Sequence, residues 1–186
     1  PVLLFGDGLD ADFSRHAALT WLSPANDGPQ GLQRWVRDLN TTMQAEPALY
    51  ELDFDAAGFS WIDANNAEQS VLSFLRRGHN HDEVVVCACN FTPVPRHNHL
   101  LGVPAGGYWE EIVNSDAALY GGSGQGNYGG VEAHAVPTCG QSYSLRVTLP
   151  PLAMVAFRQK VLPPLEISAN GQPEKVLIEA RSPAPS

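Results

Sequence analysis

The sequence predicts a mainly β protein: an antiparallel β-sandwich preceded by one strand and one helix. Three observations carry this. From residue 49 onward, short runs rich in β-branched and aromatic residues alternate with turn clusters. Their spacing of about 8–12 residues is that of an antiparallel sandwich or barrel. Gly 17 and Pro 15 among 186 residues favour many turns over long helices. Ahead of the strand-like region, Leu32, Trp35, Val36, Leu39 and Met43 recur at helical spacing.

In chain order, Val2-Leu3-Leu4-Phe5 is a continuous apolar run closed by Gly6-Asp7-Gly8, the pattern of a buried strand of a parallel sheet. The helix follows. Asn26 or Asp27 is placed to cap it, Pro29 suits its first turn and Pro47 marks its end. A lone strand–helix unit cannot bury a parallel strand on both faces, so this segment calls for more sheet than the chain contains. Strands are predicted at residues 49–53, 59–63, 70–76, 83–90, 99–103, 108–114, 131–136, 142–149 and 153–158. Gly58, Asn65-Asn66, Gly78, Pro93, Gly106-Gly107 and Pro150-Pro151 punctuate them. Residues 159–186 carry five prolines and little periodicity. They read as an irregular tail, with Val176-Leu177-Ile178 at most an edge strand.

Composition narrows the function classes. Hydrophobic residues at 44% support a packed core. Lys plus Arg is 11 against Asp plus Glu 20, a net charge of −9, which disfavours nucleic acid and anionic membrane as partners. No apolar run approaches the ~20 residues of a bilayer span, and no charged segment leads into an apolar one as in a signal peptide. The chain opens on Pro rather than Met, which reads as a chain that is trimmed, engineered or cut from something longer. Cys87, Cys89 and Cys139 are odd in number, which argues against a disulfide framework and for a reducing, cytoplasmic setting. Cys87 and Cys89 share a strand face and read as small core residues.

The chemistry-bearing candidates are weak when taken singly. Gly124-Gln125-Gly126-Asn127-Tyr128-Gly129 matches GxGxxG. A strand-like run follows it where a dinucleotide site needs a helix, so a mobile glycine loop is the better reading. His79-Asn80-His81-Asp82 sits where a polar hairpin turn is expected, and His97 with His99 reads as a surface or partly buried pair, not as metal ligands. Among carboxylates, Asp7, Asp10 and Asp12 crowd one loop, Asp53 and Asp55 share a strand face, and Glu110 and Glu111 do not. The acidic loop after the first strand reads as solvated. No G-x-S-x-G elbow anchors a hydrolase triad. Trp35 lies on the apolar stripe of the helix. Trp61, between Ser60 and Ile62, is either a buried sandwich residue or a flat face for sugar stacking. Alternation puts it on the side of Phe59 and Asp63, and Ser60 and Asp63 are placed to bond sugar hydroxyls.

Read together, the segments resemble the C-terminal part of glycogen branching enzymes of the α-amylase superfamily. The resemblance is carried by Gln33-Arg34, Val36-Arg37-Asp38-Leu39-Asn40, Glu46-Pro47-Ala48-Leu49, Leu52-Asp53-Phe54-Asp55 and Phe59-Ser60-Trp61-Ile62-Asp63. It continues through Ser70-Val71-Leu72-Ser73-Phe74-Leu75-Arg76-Arg77 and, most specifically, Cys89-Asn90-Phe91-Thr92-Pro93-Val94-Pro95-Arg96-His97. Leu100-Leu101-Gly102-Val103-Pro104, Tyr120-Gly121-Gly122-Ser123 and Ser144-Leu145-Arg146-Val147-Thr148-Leu149-Pro150-Pro151-Leu152-Ala153 agree as well.

The resemblance implies a fold and an activity. Residues 1–47 would be the last strand and helix of a (β/α)₈ catalytic barrel, residues 48–158 the all-β sandwich, and residues 159–186 a tail outside the pattern. The family cuts an α-1,4 glucan and rejoins the piece through an α-1,6 bond, with an Asp nucleophile, a Glu acid/base and a further Asp. None of these three has a counterpart here, so no catalytic residue is assigned and the chain alone is expected to be inactive. No cofactor or metal is implied. The implied partners are an α-glucan and the missing barrel. Trp61 and Asp63 are the substrate-binding candidates. The alternative is a stand-alone β-sandwich binding or interaction module. Departures are Gly6-Asp7-Gly8 for the family's Met-Gly-Gly-Glu, Ala18-Leu19-Thr20-Trp21 for Ser-Leu-Asp-Trp, and His99 for a usual Tyr. With no barrel against them, residues 2–5 and the Trp35 face of the helix are expected to drive self-association.

Overall fold

A computed structural model describes residues 27–160. The strand expected at residues 2–5, the acidic loop of Asp7, Asp10 and Asp12, Trp21, Asn26 and the tail from residue 161 lie outside the described residues. Helix α1 spans Asp27–Ala45, with Pro29 in the first turn, where its missing N–H costs nothing. The helix stops at Ala45 because the ring of Pro47 disfavours the helical region for the residue before it. Glu46 is accordingly extended, at φ −108° and ψ 99°.

The strand predicted at residues 49–53 does not form. Pro47–Leu49 is a single 3₁₀ turn, and turns follow it to Asp55. Leu49 N–H donates to the Glu46 carbonyl, and the Tyr50 and Glu51 N–H groups donate to that of Pro47. Backbone donors that a neighbouring strand would need are therefore used within the turn.

The remaining predicted strands are present. They are β1 (Phe59–Asn66), β2 (Val71–Arg77), β3 (Val84–Asn90), β4 (Arg96–Val103), β5 (Gly107–Asn114), β6 (Gly130–Ala133), β7 (Tyr143–Leu149) and β8 (Ala153–Gln159). One sheet has the order β1-β2-β3-β8-β5-β6, and β4 pairs with β7 in a second. Every ladder is antiparallel, as the short connections require.

Residues 84–88 of β3 are buried on both sides of the strand, so both faces of the large sheet are covered at β3. Inward, Val84, Val86 and Ala88 meet Leu75, Val155, Phe157 and Trp109, and across them Leu101, Val103, Leu145, Val147 and Leu149 of β4 and β7. Trp109 is fully buried and gives its indole N–H to the Ala105 carbonyl at 3.2 Å. Outward, Val85, Cys87, Ala156 and Val113 pack under Ala48, Trp35 and Leu39. The Trp35 face of α1, which the sequence leaves without a partner, is thus seated on the sheet. Cys87 is buried there and Cys89 half-buried; burial pushes the Cys87 thiol up to about 12.

Polar links fix that seating. The Tyr120 hydroxyl donates to Asp38 of α1 at 2.9 Å and holds its carboxyl below the ordinary carboxylate range. Trp35 meets the Tyr120 ring edge-on at 5.1 Å. Gly31 is required here, since a Cβ would run into the Tyr120 backbone. At the far end, Arg158 of β8 is clamped between Glu46 and Glu110, the latter at 2.6 Å. Burial raises the Glu46 carboxyl above its ordinary value, against the pull of Arg158. The proton on Glu46 therefore stabilises the fold at low pH, and that contribution is lost as pH rises through the raised value. Arg158→Leu leaves ionised Glu46 buried beside Glu110 alone. The variant is expected to lose about 1–3 kcal/mol at pH 7, less than a fully buried pair would cost because Arg158 is partly exposed. The loss should shrink toward pH 4, where Glu46 takes up its proton, in urea titrations at the two pH values.

Candidate functional site

The two substrate-binding candidates of the sequence, Trp61 and Asp63, lie on β1, an edge strand of the large sheet. Simple alternation puts them on one face. The register does not. Trp61 stands opposite Phe74 and Asp63 opposite Ser73, with an irregularity between them. Phe74 and Ser73 are consecutive in a regular ladder with β3, so they point to opposite faces. Ile62 is the extra residue of a β-bulge and turns into the core. Trp61 and Asp63 therefore face opposite ways, which corrects the shared-face expectation.

On the α1 side, Trp61 stands on two other rings. It meets Phe59 edge-on at 5.0 Å and Phe74 edge-on at 6.2 Å, while Phe59 and Phe74 stack at 5.6 Å. Trp61 is 54% exposed, so the buried-sandwich reading does not apply. The Trp61 ring is thus flanked by Phe59 along its own strand and by Phe74 across the ladder, and about half of the residue is exposed. Ser60, on the opposite face, is occupied by a bond from Arg77 at 2.9 Å, so it does not stand beside the ring.

On the other side of β1, Asp63 lines a cleft of about 560 Å³ with Asn66, Arg96, His97, His99 and Cys139. Asp63 accepts the Asn65 N–H at 3.1 Å. Arg96 donates to the Gln69 carbonyl at 3.2 Å. Burial lowers the His99 pKa against the pull of Asp63, so His99 is neutral at pH 7. Burial and the Asp63 carboxylate raise the Cys139 thiol. Sequence reasoning paired Asp63 with Trp61 and set His97 and His99 aside; Arg96, Asn66 and Cys139 it did not single out. The substitution of His99 for a usual Tyr was the one signal pointing to this place.

The other candidates have structural occupations. Asp53 pairs with Arg76 at 2.7 Å, and Asp55 caps the turn Ala56–Gly58 through the Ala57 N–H at 2.8 Å. Glu110 holds Arg158, and Glu111 accepts from the Asn127 side chain at 2.8 Å. The His79–Asp82 stretch is a turn whose N–H groups bond Glu51 and Glu83. Among the described residues no group of three or more His, Cys, Asp or Glu is arranged for a metal ion. The glycine loop is tied to its surroundings at several points. Asn114 donates to the Gln125 carbonyl at 2.8 Å, the Gly124 N–H donates to Asp116, and buried Asn127 ties the loop to Thr148. No helix follows it, as β6 comes next.

Residues 61–160 match the family model described as alpha amylase, C-terminal all-beta domain. The chain belongs to that family. Among curated relatives of this alpha-amylase C-terminal domain, the 1,4-alpha-glucan branching enzyme GlgB of Aromatoleum aromaticum is 51% identical over 148 residues, covering 80% of this chain and 23% of that protein. The same enzyme of Aquifex aeolicus is 44% identical over 149 residues, 80% of this chain and 24% of that protein. That of Albidiferax ferrireducens is 46% identical over 150 residues, 81% and 24%. The resemblance to branching enzymes read from the motifs is therefore upheld. The chain spans about a quarter of the length of these relatives. No helix of the described residues is long and apolar enough to cross a membrane.

The geometry separates the two tryptophans of the sandwich. Trp61→Ala removes an exposed ring and is expected to cost about 1 kcal/mol or less. Trp109→Ala empties a fully buried site and should cost about 3–5 kcal/mol. Urea denaturation of the two variants against the parent chain measures both.

Proposed function

We propose that this chain is the all-β C-terminal region of a glycogen branching enzyme, which transfers α-1,4-glucan segments to α-1,6 branch points, and that Trp61 holds glucan at its sandwich edge. The observation that supports it most is the 44–51% identity to 1,4-alpha-glucan branching enzymes across about 80% of the chain. The Asp nucleophile and Glu acid/base of such a reaction would sit on a catalytic barrel working with this domain. The role of the sandwich is to buttress that barrel and hold a growing chain near it. The exposed apolar residues Met43, Phe91 and Leu152 offer surface to the barrel domain or, in its absence, to a second copy of the chain.

Trp61 suits the holding role physically. A sugar ring presents apolar C–H faces with hydroxyls around the rim, and a flat exposed indole takes such a face without stripping the hydroxyls of water. The flanking Phe59 and Phe74 rings restrict the indole, so little side-chain entropy is lost on binding. Titration of maltoheptaose is expected to change tryptophan fluorescence in the parent chain and to lose that response in Trp61→Ala. The loss should correspond to about 1–3 kcal/mol, the scale of ring stacking on aromatic side chains. An unaltered response in Trp61→Ala would overturn the assignment of Trp61. No response in either protein would overturn glucan binding by this domain.

A further inference from the structure

The cleft on the other side of β1 is built in a way that the Trp61 platform does not account for. It lies between two strands that both break their register there. β1 bulges at Ile62 and β4 is irregular between Arg96 and His99. Bulges of this kind re-aim side chains and are over-represented beside binding sites. The backbone is also held in the left-handed region at two non-glycine residues of the lining, Asn98 at φ 56° and Cys139 at φ 49°. Such conformations persist only where the surroundings impose them. The volume of about 560 Å³ falls within the ~300–1,000 Å³ of small-molecule sites.

The lining sets the ligand chemistry. It offers one carboxylate, Asp63, and one guanidinium, Arg96, so neither an anion nor a cation meets a field of a single sign. His99 is neutral, and the raised Cys139 thiol stays protonated. Asn66 adds an amide that is half used by Gln69, whose N–H it accepts at 3.3 Å and whose side-chain oxygen it reaches at 3.4 Å, leaving one N–H and one lone pair for a ligand. Mixed donors and acceptors at close range, without net charge, match hydroxyl groups, each of which donates and accepts. We infer that this cleft is a second α-glucan subsite, binding a neutral polyhydroxylated ligand through Asp63, Asn66, Arg96 and His99 on the face of β1 opposite Trp61. The inference rests on the glucan reading above and deepens it: one glucan-binding edge with two faces.

The test is amide and indole chemical-shift mapping of the complete chain during titration with maltoheptaose, repeated with Asp63→Asn and with inorganic phosphate. Asn keeps an oxygen to accept the Asn65 N–H, so the variant removes charge with little change of shape. Amides of residues 63–66, 96–100 and 138–140 should move with a midpoint separate from that of the Trp61 indole. Asp63→Asn should weaken only the cleft set, by about tenfold, the scale of one hydrogen bond to a charged group. If the Trp61 indole saturates while the cleft amides stay still, the cleft subsite is overturned and the Trp61 assignment stands. If phosphate moves the cleft amides at lower concentration than maltoheptaose, the neutral-ligand inference is overturned. If neither set moves with maltoheptaose, the glucan reading itself falls and takes this inference with it.

Discussion

β3 is buried on both of its faces, and the rest of the molecule is arranged around covering it. A strand with Val84, Val86 and Ala88 on one side and Val85 and Cys87 on the other cannot sit at a water-facing sheet. One cover is the β4–β7 pair, which closes the sandwich with Leu101, Val103, Leu145 and Val147. The other is α1 with the Pro47–Leu49 turn. Because the helix ends at Ala45 and the turn returns along the sheet, the second cover does not extend over β1. The edge strand and its neighbour keep Phe59, Trp61 and Phe74 as a mutually packed ring cluster with Phe59 and Trp61 exposed.

The polar anchors follow from the same requirement. Arg158 stands on the covered face opposite Val85, where an unpaired guanidinium would be costly. Glu46 comes from the helix side and Glu110 from β5. A charge needed to satisfy one strand thus ties the helix to two. Asn90 does similar work at the other end of β3, where its buried side chain bonds the Val94 and Pro150 carbonyls and Thr92. This gives a physical reason for the Asn90-Phe91-Thr92-Pro93 run: the amide closes the turn out of β3 onto the turn between β7 and β8.

Much of this was legible in the residues. The 32–35–36–39 stripe fixed the helix and Pro47 its end. Alternation and turn clusters located β1 through β8. The strand expected at residues 49–53 failed because Pro47 starts a turn that uses the local N–H groups, an arrangement that a hydrophobic pattern does not register. The site was legible only as two residues. Trp61 stood out by its chemistry, but periodicity of two assigned Asp63 to the wrong face, because a bulge leaves no mark in alternation. The cleft was out of reach for another reason. Its residues come from β1, β4 and the turn around Cys139, and only the packing of the two sheets brings Asp63 to Arg96, His99 and Cys139.

The whole functional account depends on the register of β1 against β2. It is measured most directly by cross-strand nuclear Overhauser effects among backbone Hα and amide protons. The bulged register predicts contacts pairing Trp61 with Phe74 and Asp63 with Ser73, with Ile62 unpaired. Contacts pairing Asp63 with Leu72 instead would mean an unbroken ladder, would put Asp63 back beside Trp61, and would contradict the two-faced edge.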